Sequence, residues 1–265
     1  MHEGITDYLE IMRLAGMSEL RKTTGSKGDD RQLTADGNRQ HRTSSDERSA
    51  VAVSHTPTGG HSSPPLVARP SVREYQLDTK VGQLLQLADE VAQCTRCKDL
   101  EANRIQTVFG VGNPDSPLVF LGEAPGKDED EQGEPFVGRA GQLLNDIITK
   151  GMKIRREDVY ICNILRCRPP GNRNPMPDEA AHCRPFLDRT LEIIGPKFIC
   201  CLGAVAAKNL LASEKTIGAL RGKVWEYNGI KVVCTYHPAY LLRNPAAKKD
   251  TWEDIQLLMR EMEMK

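Results

Sequence analysis

Four short, almost unbroken apolar runs, at 118–121, 159–165, 198–202 and 231–236, alternate with stretches whose apolar residues recur at helical spacing. Strands that are apolar along their whole length have both faces covered. Alternation with helices therefore points to a parallel sheet sandwiched between helical layers. The helical patterns lie at 139–151 (Ala140, Leu143, Leu144, Ile147, Ile148), 178–194, 203–212 and 246–264, the last carrying Trp252, Ile255, Leu258, Met259 and Met262. An earlier one (Leu77, Val81, Leu84, Leu85, Ala88, Val91) runs straight into Cys94. Asn228-Gly229, between two strand-like halves of 224–233, is a type I′ hairpin signal and adds one antiparallel element.

This pattern starts at residue 76 and defines a domain over 76–265. Before it, 21–75 is almost entirely Ser, Thr, Gly, Pro, Asp, Arg and His, which accounts for much of the mean hydropathy of -0.47. Such a segment buries too little apolar surface to offset chain entropy, and a disordered linker is expected. Within 1–20, Ile5, Leu9, Met12 and Ala15 share one helical face. A frayed short helix is the ordinary reading; a docking peptide for a replication or repair protein is the sharper one. A net charge of +0 gives no overall nucleic-acid signature, so any such field must be local. No apolar run approaches the roughly 18 residues of a membrane span. Glu3, Asp7 and Glu10 argue against a targeting leader. Eight cysteines in such a chain are expected to be reduced thiols, in a cytoplasmic monomer.

Four of those cysteines form two pairs: Cys94-Thr-Arg-Cys97, then Cys167 and Cys183, which flank a loop rich in Pro, Arg and Asn. Two thiolates from one short turn grip a single centre, and four soft sulfur ligands select Zn or an iron–sulfur cluster. Spacing alone leaves both open. Cys162, Cys200, Cys201 and Cys234 lie inside apolar runs and read as small buried hydrophobes.

In open α/β sheets ligands bind beyond the carboxyl ends of the strands. Here those ends read Gly122-Glu123-Ala124-Pro125-Gly126 followed by Lys127-Asp128-Glu129-Asp130, then Asn163-Ile164-Leu165-Arg166-Cys167-Arg168-Pro169-Pro170, and Tyr236-His237-Pro238-Ala239-Tyr240. Taken singly, each has an ordinary explanation: a tight turn, a capping Asn, a surface His, a solvated acidic run at 128–131, and Phe136 as a core plug. A carboxylate, an amide and an imidazole at successive strand ends together describe a converging polar site.

These motifs, with Pro135-Phe136-Val137-Gly138-Arg139-Ala140-Gly141 and both cysteine pairs, resemble the family 4 uracil-DNA glycosylases, over about residues 76–264 and in the same order. The resemblance implies a three-layer α/β/α sandwich with a central four-stranded parallel sheet. It implies an enzyme of base-excision repair that flips uracil out of DNA and hydrolyses its glycosidic bond; no lysine stands out as a Schiff-base nucleophile, so a monofunctional enzyme is expected. It implies a [4Fe-4S] cluster on Cys94, Cys97, Cys167 and Cys183. By the same resemblance Phe136 stacks on the flipped base, Asn163 reads its Watson–Crick edge, and His237 with backbone amides of Gly122–Gly126 stabilises the departing anion. Other branches place an Asp at the position of Ala124 to direct the attacking water. For that role Glu123 is expected here ahead of Asp128, with Asn163 third. Pro238, Tyr240, Leu241, Leu242 and Arg243 resemble the segment that presses on phosphates and wedges the duplex, with Leu241 or Leu242 as the wedge. Arg168 and Arg173, with Lys150, Lys153, Arg155, Arg156 and Arg166, form a locally basic region suited to phosphates. A non-catalytic DNA-lesion or polymerase-associated binding module is the alternative reading.

Overall fold

The computed structural model describes residues 78–264. The expectations for 1–20 and 21–75 lie outside the described residues.

The four apolar runs become β2 (Leu118–Gly122), β3 (Tyr160–Asn163), β4 (Phe198–Leu202) and β6 (Ile230–Thr235), paired in parallel in the order β3-β2-β4-β6. Two antiparallel edge strands extend this parallel centre to a six-stranded sheet. One is β1 (Val111–Gly112), beside β3. The other is β5 (Val224–Tyr227), beside β6. The hairpin between β5 and β6 turns on Asn228 and Gly229, both left-handed at φ 49° and 80°, as a type I′ turn requires. β1 was not foreseen: two residues are too few for any periodic signal.

Side chains alternate across the sheet. Val119 and Leu121 of β2 face one core with α1 (Lys80–Ala92), α5 (Pro177–Ile194) and α6 (Ala204–Leu211). Leu118 and Phe120 face the other, with α4 (Arg139–Asp146) and α9 (Lys248–Glu261). Cys162, Cys200, Cys201 and Cys234 are fully buried in these cores, as small apolar side chains would be. The short helices α2 (Lys98–Asn103), α3 (Lys127–Gln132), α7 (Ile217–Leu220) and α8 (Pro238–Arg243) escaped the periodicity reading because none completes two turns. The pattern at 139–151 is helical throughout, but Ile147–Gly151 is wound as a π turn, so α4 stops at Asp146.

The chain leaves β3 on one side of β2 and enters β4 on the other. This reversal of strand order opens a crevice at the carboxyl ends, where Gly122 pairs in register with Asn163 and Leu202 with Thr235. Asp254 of α9, fully buried, reaches this end of the sheet. It accepts from Thr235 Oγ1 (2.8 Å), Arg221 Nε (3.0 Å) and the Gly222 amide (2.9 Å), and so fixes the backbone two residues before His237.

Candidate active site

Phe136, Asn163 and His237 line one cavity of about 400 Å3 at the crevice, with Glu123, Ala124, Pro125 and Gly126. Three elements supply them. Asn163 ends β3 directly beside Gly122, and Gly122 has no side chain because there is no room for one. A Cβ there would stand 2.2 Å from Asn163 Oδ1 and 2.6 Å from the Phe136 ring. Phe136 and Asn163 thus converge over a bare backbone. Phe136 is held at φ 57°, a conformation that costs a bulky residue about 1–3 kcal/mol. Its ring lies 5.7 Å from the His237 ring at an interplanar angle of 32°.

Asn163 is 2% exposed, and its Oδ1 is buried with no hydrogen-bond partner. An unpaired buried carbonyl costs about 1–3 kcal/mol. In a cavity wall, such an atom is an acceptor waiting for a ligand's N–H. His237 caps α8. Its Nδ1 accepts from the Ala239 amide at 3.2 Å, which leaves the ring proton on Nε2. Burial, aided by the nearby Arg243 charge, lowers its pKa to about 4, so the ring is neutral at physiological pH. The cavity lining therefore combines one unpaired acceptor, one neutral N–H donor and an aromatic plate.

Glu123 lines the cavity and is partly buried, which raises its carboxyl pKa. Asp128 stands apart: it is exposed, lies outside the lining, and packs against the Gly138 backbone, where a Cβ would meet its Oδ2 at 2.5 Å. The amide of Gly126 is taken by Glu129 Oε2 at 3.0 Å, so it is not among the donors this turn can offer an anion. The same Glu129 accepts from the amides of Val137 and Gly138, each at 3.1 Å, and joins the Gly126 turn to the Phe136 segment. Sequence reasoning passed over Glu129. The signal was there, as the acidic third residue of a helix N-terminus that reaches back to its cap.

At the mouth stand Tyr240, stacked on Tyr236 at 5.0 Å, with Arg243, Arg173, Asn172 and Asn174. Arg173 is engaged bidentately by Glu179, at 2.8 and 2.5 Å. Several expectations for this face are corrected. Leu241 is 1% exposed and packs into the core, while Leu242, at 38%, is the outward apolar side chain of α8. Pro238 is buried at the first turn of that helix. Arg168 lies outside the lining; its Nε donates to Asn172 Oδ1 at 2.7 Å, and its Nη1 stands 3.8 Å from the buried Asp130. Arg166 is fully buried and donates to the Phe109 carbonyl and to Thr190 Oγ1, so it meets no phosphate. Arg156 points inward, while Arg155 and Lys150 pair with Asp158 and Asp146. The acidic run is not wholly a solvated face either. Asp130 Oδ1 accepts from the Ile105 amide at 3.0 Å.

The four paired cysteines line a second pocket. Cys94 follows α1, Cys97 caps α2, Cys167 follows β3, and Cys183 lies in α5. Arg104 spans the group, donating through Nη1 to Cys167 Sγ (3.0 Å) and through Nη2 to the Cys94 carbonyl (2.8 Å). His182 Nδ1 lies 3.6 Å from Cys97 Sγ. Burial raises the Cys97 and Cys167 thiols and pushes Cys183 up to about 11; a bound cation would have to displace those protons. Among the described residues no three His, Cys, Asp or Glu side chains gather tightly enough around a point to hold a single ion. Ala124, which lines the first cavity, packs against the cluster of Leu100, Leu165 and Cys167, residues that line the second.

The sequence model of the Uracil DNA glycosylase superfamily matches residues 109–256. A type-4 uracil-DNA glycosylase of Thermotoga maritima is 46% identical over 179 residues, 66% of this chain and 92% of the relative. The chain belongs to the type-4 uracil-DNA glycosylases. Type-4 relatives from Archaeoglobus fulgidus (45% identical; 63% of this chain, 87% of the relative) and Sulfurisphaera tokodaii (41%; 66% and 83%) match over a similar extent. The matched region of this type-4 chain contains Phe136, Asn163 and His237.

Proposed function

We propose that this protein excises uracil from DNA by hydrolysing the N-glycosidic bond of an extruded nucleotide, leaving an abasic site for base-excision repair. The observation that carries the reading is the orphaned, buried Asn163 Oδ1, set in one cavity with the Phe136 ring and the neutral His237. Family membership points the same way.

A base in a duplex is reached only by flipping it out. Phe136 gives the flipped ring a face to stack on, worth about 1–3 kcal/mol per base. Asn163 Oδ1 accepts the N3–H of uracil and its Nδ2 donates to O4. Cytosine presents a bare N3 and an amino group instead, and would leave both Asn163 and itself unpaired in a dry site. Mismatched buried polar groups of this kind discriminate strongly. As the bond breaks, charge gathers on O2 of the leaving base. Nε2–H of His237 is placed to stabilise it without carrying a positive charge of its own. Glu123, raised by burial and facing the cavity, is the better placed carboxylate to direct water at C1′; exposed Asp128 is not. Tyr240, Arg173 and Arg243 at the mouth take the DNA strand, with the exposed Leu242 of α8 as the wedge.

Cys94, Cys97, Cys167 and Cys183 would hold the [4Fe-4S] cluster. Four soft thiolate donors suit such a centre, and the resemblance to the family 4 enzymes implies it over zinc. Such a cluster would supply structure, tying α1, α2, the segment after β3 and α5 together with all four thiolates used as ligands.

The test is a labelled oligonucleotide with one deoxyuridine, incubated with purified protein and then treated with alkali. Strand scission at uracil, and none at cytosine or thymine or before alkali, is the expected result. No scission with a cluster-loaded, folded protein would favour the non-catalytic binding module instead.

A further inference from the structure

The left-handed backbone of Phe136 is gripped from both directions. Downstream, Glu129 Oε1 accepts the Val137 and Gly138 amides. On the other side, Arg156 Nη2 donates to the carbonyls of Pro135 (2.8 Å) and Phe136 (3.3 Å), with Glu134 Oε1 at 3.5 Å. Those two carbonyls belong to the peptides flanking the Phe136 Cα. One nitrogen that reaches both fixes the two torsions between them. Gly141 closes the arrangement from α4, since a Cβ there would stand 1.9 Å from the Phe136 oxygen. Arg156 is an odd choice for stability alone. Its Nη1 is buried with no acceptor, a defect that calls for an explanation outside packing.

We infer that Arg156 is a positioning residue for base recognition: by locking the Phe136 backbone in its strained turn, it sets the ring over Gly122 as the plate for the flipped uracil. The inference rests on the uracil-excising reading above. Arg156 touches neither substrate nor the reacting atoms and acts only through Phe136. Its loss therefore weakens recognition of the base and spares the grip on the DNA strand.

Two duplexes separate these effects: one with a single 2′-fluoro-2′-deoxyuridine, which resists cleavage, and the same duplex with a tetrahydrofuran abasic analogue. Dissociation constants are measured by fluorescence anisotropy at one fixed salt concentration. If the wild-type protein does not prefer the fluorodeoxyuridine duplex, the uracil reading itself falls. If it does, Arg156→Gln is expected to weaken binding of that duplex about tenfold, as partial loss of a base stack would, and of the abasic duplex less than about twofold. Phe136→Ala should show the same selective loss, and the double variant should add little to either single one. Equal weakening on both duplexes, no weakening, or full additivity with Phe136→Ala would overturn the inference. Should Arg156→Gln melt too low to assay, Arg156→Lys keeps one donor within reach of the Pro135 carbonyl. It is expected to show a smaller loss on the fluorodeoxyuridine duplex only, and an equal loss on both overturns the inference in the same way.

Discussion

The roles proposed for Asn163, through its amide oxygen and nitrogen, and for His237, through Nε2–H, each make a prediction that a general loss of fold would not mimic. Asn163→Asp replaces the donor to O4 with a second acceptor. Uracil release should drop about 100-fold or more, while cytosine release becomes detectable in the alkali assay. A variant that keeps full uracil activity and gains none on cytosine would remove Asn163 as the base reader. His237→Ala should slow single-turnover cleavage by about 10²–10³ and change affinity for uracil-containing DNA far less. The pH profile carries the sign. His237 has its pKa lowered to about 4, so it stays neutral, and competent as a donor, across the range where an ordinary histidine would charge. Glu123 is shifted the other way, upward, and loses its charge first as pH falls. The acid limb of kcat/KM should therefore lie above the usual carboxylate range and vanish in Glu123→Gln. A limb near the ordinary histidine value in both proteins would contradict this. At this scale the sequence was readable where a residue's place in the chain dictates its direction, as for Asn163 and His237 at strand ends. It was opaque for Arg156, Arg166 and Leu241, whose types suggested outward roles. Charge and hydropathy do not say which way a side chain points, and the carbonyls that turn Arg156 and Arg166 inward come from distant segments.

The parallel strands announced themselves because they are covered on both sides and have no polar face to break the run. Edge strand β1 and the short helices had no such constraint and left no mark. The substrate turn and the Phe136 segment form one unit through Glu129, and α4 is packed against that unit at Gly141. Gly141→Ala tests this packing. The added methyl would run into the Phe136 backbone, 1.9 Å from its oxygen, so the turn must shift or the helix must retreat. A destabilisation of about 1–3 kcal/mol in urea melts is expected, accompanied by weaker binding of uracil-containing DNA. An unchanged midpoint would show that the helix can back away freely.

Across the molecule the four cysteines come from the end of α1, the start of α2, the segment after β3, and α5, and Ala124 of the substrate cavity packs against residues that line the cysteine pocket. If the proposed cluster is present, Cys167→Ser should lose its visible absorption together with cooperative unfolding, and iron chelation of the wild-type protein should reproduce both. A stable, active Cys167→Ser protein would show that the metal assignment is wrong. The pairing of the cysteines was visible in their spacing, but Arg104 was not, since its reach to Cys167 depends on how α2 ends. Asp254 has a consequence of another kind. The imidazole of His237 follows a strand whose last residue, Thr235, is anchored by a carboxylate that the ribosome adds some seventeen positions after that imidazole. A nascent chain halted before α9 would carry every base-contacting group and still hold its histidine on a slack tether. On the proposed function, the cavity is fully anchored only once that late helix has been translated and docked.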